Sequence, residues 1–160
     1  MSVRQNPPIR IASTIVVHCP LETTFTFVTD PHNDRDCAFG ATELEQLTPG
    51  PIAAGTRFRQ AGVFLGRRIE VCWEVTAYEP YRHLHGRSIS GPFCFSGGYN
   101  FEAVDSGSRV TKYGEVSLPH VGRAFHLLLA RLLFTAVDMA MKRLARLLES
   151  DPHLKPAGRQ

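Results

Sequence analysis

Four side chains could move a proton or hold an oxygen: His85, Arg87, Tyr113 and His126. The run His83-x-His85 puts two imidazoles on one side of a strand, a spacing that ligates metal in other folds, but no third ligand stands nearby in sequence. No metal and no cofactor is expected. Arg87, beside His85 and Ser88, could anchor a carboxylate or enolate oxygen. Tyr113 and Glu115 alternate on one face of the last strand; inside an apolar pocket they would supply a phenol and a carboxylate whose pKa desolvation would raise. The opposite parity, Val110, Lys112, Gly114, Val116 and Leu118, is more apolar, which favours an exterior place for the pair. His126 falls, by helical angle, beside Ala130 and Leu133 near an apolar face. A neutral imidazole there could orient a ligand or act as a general base, although a satisfied boundary histidine is the plainer reading. There is no Ser-His-Asp order, nucleophile elbow or phosphate-cradling glycine loop; Gly97-Gly98 sits inside a strand and reads as a bulge or sharp bend.

A binding cavity needs apolar walls with a few polar groups to orient its occupant. Alternation puts Ile69, Val71, Trp73 and Val75 on one strand face, and Tyr99, Phe101 and Ala103 on one face of another. Phe58 and Phe93 are further large candidates. The main cover for such walls is a long amphipathic helix predicted over 119–149: at about 100° per residue Leu129, Leu133, Ala136, Val137, Ala140, Leu144 and Leu147 share a face opposite Arg131, Thr135, Asp138, Lys142 and Glu149. Each large side chain that the helix buries contributes about 1.5–3 kcal/mol. Small residues, Ala130, Ala136 and Ala140, sit among the leucines and should leave room beside the helix. Leu127, Leu128 and Phe134 fall off the buried stripe and could form a contact between two copies of the chain.

Upstream, 9–19 is rich in β-branched residues and reads as a first strand stopped by Pro20. A short helix over 21–28 and a second over 35–39 follow, separated by the turn residues 30–34. Six strands are predicted over 42–47, 55–63, 67–78, 83–89, 94–104 and 109–118, with breaks such as Pro49-Gly50-Pro51, Glu79-Pro80-Tyr81 and Asp105-Ser106-Gly107 at the intervals of an antiparallel meander. Residues 1–8 read as a flexible lead and 150–160 as a disordered tail, leaving a single domain over 9–149.

At 160 residues and 43% hydrophobic the chain supports one sizeable core. The formal charge of +3 is mild and its 18 Lys and Arg are spread along the chain, so neither nucleic-acid nor membrane-surface binding is implied. The most apolar window, 127–137, is too short and carries Arg131, so stable membrane insertion is not expected. Cys19, Cys37, Cys72 and Cys94 are widely spaced, without a C-x-x-C pair, and read as reduced thiols of a cytoplasmic protein.

The segments IVVHCPLETTFTFVTDPHN at 15–33, PGPIAAGTRFR at 49–59, WEVTAYEPYRHL at 73–84, SGPFCFSGGYNFEAV at 90–104 and SGSRVTKYGEV at 106–116 resemble the polyketide cyclase/dehydrase and lipid-transport group of the START-like (SRPBCC) superfamily. The resemblance spans nearly the whole chain and implies an α+β helix-grip fold. In it a curved antiparallel sheet of about seven strands wraps a long C-terminal helix, with two short helices after the first strand. It also implies a deep apolar cavity between sheet and helix. Family members often carry a tryptophan in the second short helix, where this chain has Asp36-Cys37-Ala38.

Two functions are therefore expected of the cavity. One is binding or carriage of a small hydrophobic molecule, a lipid or polyketide-like aromatic, against Phe58, Trp73, Phe93, Tyr99, Phe101, Leu129, Leu133 and Ala136. The other is a cofactor-independent cyclase or dehydratase, in which His85, Arg87, Tyr99, Tyr113 or His126 would orient a poly-keto substrate and move protons. A folded chain without an internal cavity above about 300 Å³ would exclude the first.

Overall fold

The computed structural model describes residues 6–30, 33, 41–151 and 153. Strand β1 (Ile9–Val17) leads into helix α1 (Leu21–Thr29), then come β2 (Ala41–Gln46), β3 (Arg57–Phe64), β4 (Arg67–Glu79), β5 (His83–Ser90), β6 (Cys94–Val104) and β7 (Gly107–Ser117), and the chain closes with helix α2 (Arg123–Ser150). The strands form one seven-stranded sheet in the order β1-β7-β6-β5-β4-β3-β2, antiparallel throughout. Thus β2 to β7 form the expected meander, and β1 joins the far edge beside β7. Of the two short helices expected after β1, α1 is present; the second, over 35–39, lies outside the described residues.

Local chemistry accounts for the ends of these elements. Between β3 and β4 the two-residue turn Leu65-Gly66 has positive φ at both positions, the conformation that matches strand twist in a tight hairpin. Helix α2 begins four residues later than the apolar period predicts. His120 adopts a left-handed φ of 62° and Gly122 is extended, so Pro119 sits in the connection and does not open the helix. At the other end the Asp151 N–H donates to the Leu147 carbonyl, and the extended backbone of Asp151 stops the helix.

The core lies at one end of the molecule. Val17, Cys19, Phe25, Val28, Phe101 and Val110 pack against Val137, Met141, Leu144 and Leu148 of α2. Phe25 of α1 meets Phe101 edge-on with ring centres 5.0 Å apart, and Tyr81, in the β4–β5 turn, at 5.2 Å. Polar groups buried beside these rings are satisfied: Thr24 donates to the Ser108 hydroxyl at 2.7 Å, and Ser108 donates to the Cys19 carbonyl at 3.0 Å. By length and composition α2 could cross a bilayer. Here it packs one face against the sheet as a core helix and lies closest to β1. Asn6 and Pro7, expected to belong to the flexible lead, are instead tied to its start: the Asn6 amide donates to the Val121 carbonyl at 2.7 Å, and the Pro7 carbonyl accepts from His126 Nε2 at 2.9 Å.

Candidate ligand-binding cavity

Strand parity decides which residues face α2. On β6 and β7 the inward cross-strand pairs run Phe101–Val110, Tyr99–Lys112, Gly97–Gly114 and Phe95–Val116. The first pair belongs to the packed core. The third pair has no side chains at all, and on β5 Gly86 stands opposite Gly97, so a row of glycines crosses three strands. Above this row the sheet and helix do not meet, and a cavity of about 370 Å³ opens between them. Ile69, Val71, Trp73 and Val75 of β4 form one wall, and Leu129 and Leu133 of α2 form another.

Glycine is required here by close approach. A Cβ on Gly98 would lie 1.8 Å from the Leu84 carbonyl oxygen, and one on Gly97 would lie 2.3 Å from the Tyr113 carbonyl oxygen. Neither position carries a register shift, so the expected bulge at Gly97-Gly98 is absent. The irregularities fall in β4, between Cys72 and Trp73 and between Val75 and Ala77. The hollow thus comes from the sheet, whereas the sequence had pointed to the alanines of α2.

Of the eight expected wall residues, six line the cavity: Phe58, Trp73, Phe93, Tyr99, Leu129 and Leu133. Phe58 stacks on Trp73 with ring centres 4.6 Å apart. Phe101 and Ala136 are buried but lie outside the lining. Trp73 carries a buried indole N–H with no hydrogen-bond partner among the described residues; leaving such a donor unsatisfied costs about 1–3 kcal/mol. A charged residue of the lining that the sequence reading did not single out as functional is Lys112. Its Nζ donates to the Tyr99 hydroxyl at 2.9 Å and lies 4.9 Å from the centre of that ring. The signal was present in the sequence: Lys112 is the one charged residue in an otherwise apolar parity, Val110 to Leu118.

The residues singled out for proton chemistry are not brought together in the cavity. The side chains of His85 and Tyr113 cluster with His83 on the outer face of the sheet, three near-parallel rings each 5.9–6.3 Å from the other two, and the Tyr113 position also borders the cavity. Arg87 has their parity on β5 and is exposed. His85 shares hydrogen bonds with the Thr76 hydroxyl at 2.7 Å and the Ser96 hydroxyl at 3.2 Å, and His83 Nδ1 donates to the Asn100 side-chain oxygen at 2.6 Å. Burial, and then the neighbouring His83, lower the pKa of His85, while burial raises that of Tyr113. Glu115 pairs with Arg10 at 2.8 Å, also outside. His126 is buried on α2 and spends its Nε2 on the Pro7 carbonyl, the satisfied boundary histidine of the plainer reading. Among the described residues no group of three or more His, Cys, Asp or Glu is placed to hold a metal.

A meander of antiparallel strands closed by one long helix over an apolar hollow is a helix-grip fold. The chain belongs to the polyketide cyclase/dehydrase and lipid-transport family, whose sequence profile matches residues 8–149. Solved structures agree in fold. A protein from Thermus thermophilus, TTHA0849, is 21% identical with a TM-score of 0.71, covering 88% of this chain and 95% of its own. The Zhui aromatase/cyclase from Streptomyces sp. R1128 is 13% identical with a TM-score of 0.67, covering 88% and 90%. Ara h 8.0201 is 14% identical with a TM-score of 0.63, covering 91% and 100%. No curated protein sequence matches the chain.

Proposed function

We propose that the chain binds and carries a small, mainly apolar molecule that has one oxygen-bearing end. The observation that carries this reading is the inward sequence of pairs on β6 and β7, in which the Tyr99–Lys112 pair lies between a closed core and an open, glycine-floored cavity. The apolar walls supply affinity in proportion to the area they cover, about 25 cal/mol per Å². The Lys112 ammonium and the Tyr99 hydroxyl give the ligand one polar end to meet, which orients it along the cavity. A volume of about 370 Å³ suits a fused aromatic or a short acyl chain better than a two-chain lipid.

The same pair supports a second reading, ring closure of a poly-keto chain. Lys112 and Tyr99 form a donor pair within the cavity that could stabilise a keto oxygen as it becomes an enolate, the role first sought in His85, Arg87 and Tyr113. The aromatase/cyclase among the structural neighbours makes that substrate class the one to try first.

Native mass spectrometry of the protein from its own host, followed by extraction, separates these readings. A co-purifying apolar compound that is returned unchanged after incubation is the expected result. Its conversion to a cyclised or dehydrated product would establish the second reading. A chain that arrives empty, and neither retains nor converts any apolar or poly-keto compound offered, would overturn both.

A further inference from the structure

Helix α2 buries one face and leaves six large apolar side chains exposed on the other, among polar ones. Phe125, Leu127, Leu128, Leu132, Phe134 and Met139 are each exposed, from 43% at Phe125 to 64% at Met139. At about 100° per residue they spread from Phe134 and Leu127 on one flank to Leu132 and Phe125 on the other, about half the circumference. They occupy roughly 21 Å of helix at 1.5 Å per residue. Arg131, Thr135 and Asp138 lie within this arc, Arg123 stands at its edge, and the outward positions that follow are basic, Lys142, Arg143 and Arg146. Along the helix five basic residues face two acidic ones. Both acids are engaged within the chain: Asp138 with Lys142 Nζ at 2.8 Å, and Glu149 with His18 at 3.1 Å.

We propose that this face docks the protein peripherally on an anionic lipid surface, with the apolar half of α2 at the boundary between headgroups and acyl chains and the basic end among the headgroups. Exposed aromatic and leucine side chains concentrated in the first turns of α2, with a surplus of Lys and Arg, are the features an interfacial helix uses. A second copy of the chain fits less well. A two-helix seam is a narrow, continuous apolar stripe, whereas the exposed apolar side chains here flank Arg131, Thr135 and Asp138 over about half the circumference. An antiparallel pair would lay Arg143 and Arg146 across Arg123 and Arg131, a parallel pair would lay them across themselves, and no unengaged acid on α2 offsets either arrangement. Leu129 and Leu133, on the same turns, line the cavity, so docking would bring a cavity wall to the lipid boundary. The proposal stands whether or not the cavity carries cargo.

Flotation of the full chain with vesicles tests it. The protein should rise with vesicles of phosphatidylcholine mixed with phosphatidylglycerol, rise much less with phosphatidylcholine alone, and fall away as salt increases. Replacing both Leu128 and Leu132 with Glu, two exposed positions, should lower partitioning at least about tenfold while the circular dichroism spectrum and melting temperature stay unchanged. Arg131→Glu with Arg146→Glu should weaken binding to the anionic vesicles selectively. Failure to float with phosphatidylglycerol, or equal flotation of the Leu→Glu variant, would overturn the proposal. So would a stable dimer in sedimentation that the same leucine substitutions disperse, since the face would then belong to a second copy.

Discussion

Phe101 faces Val110 across the β6–β7 ladder at one end of the molecule, and four residues along the same strands Gly97 faces Gly114. The first pair closes against Met141, Leu144 and Leu148 of α2, each at most 1% exposed. The second leaves a void beneath Leu129 and Leu133 of the same helix. One helix, with one unbroken apolar period, therefore covers both a dense core and a hollow. The difference lies in the sheet, where side-chain volume drops from phenylalanine to nothing. A cavity in this fold is made by deleting side chains from the floor and keeping a continuous lid.

The comparison breaks if the two ends respond alike to truncation. Leu144→Ala, in the closed end, should cost about 2–5 kcal/mol in urea unfolding, while Leu133→Ala, which borders empty space, should cost about 1 kcal/mol or less because few partner atoms are lost. Filling the hollow is the next sharpest test. Leu133→Trp should lower affinity for a cavity ligand about tenfold or more and change unfolding free energy by under about 1 kcal/mol, since the added ring enters open volume. Lys112→Met keeps the stem and removes the ammonium. It should weaken a ligand with an oxygen at one end by about tenfold and leave a pure hydrocarbon probe unaffected in calorimetric titration.

The smallest effect belongs to the outer face of the sheet. His85 holds its proton less tightly in the folded chain than at the ordinary histidine value of 6.5, first through burial and then through His83. The unfolded chain therefore takes up that proton first as pH falls. The contribution to stability is present above 6.5, declines as pH drops through the window between the two values, and is flat below it. An NMR titration should place His85 below 6.5, and His83→Ala should move it part of the way back. A His85 that titrates at or above 6.5 would show that the three-ring cluster is not packed as described.

The architecture was legible because strand period, turn residues and the α2 stripe all pointed one way. Even the meander breaks at 49–51, 79–81 and 105–107 match the observed strand ends closely. The site was legible in part. The run Ile69, Val71, Trp73 and Val75 is apolar on one parity only, so its face could be read. In β5 and β7 both parities carry groups that could do chemistry, and His83, His85 and Tyr113 cluster outside as convincingly as a catalytic group would inside. What assigns their face is the pairing of three strands, a long-range property that no single strand displays. The glycine floor was hidden for a related reason. Gly86, Gly97 and Gly114 are ordinary residues one by one and become a feature only when the register aligns them.

The partnership of β1 with β7 sets the order in which the molecule can be completed. Thr14 and Thr111 hydrogen-bond across 97 residues of chain, and Asn6 reaches Val121 across 115. As the chain leaves the ribosome, β2 to β6 can zip hairpin by hairpin, while β1, the first strand made, waits unpaired for β7, the last. Through most of synthesis Ile9–Val17 is a β-branched strand with both edges open, the kind of segment that pairs with the wrong neighbour. Closure then comes as one cooperative event, because β7 gives β1 its ladder at nearly the moment α2 becomes available to cover it.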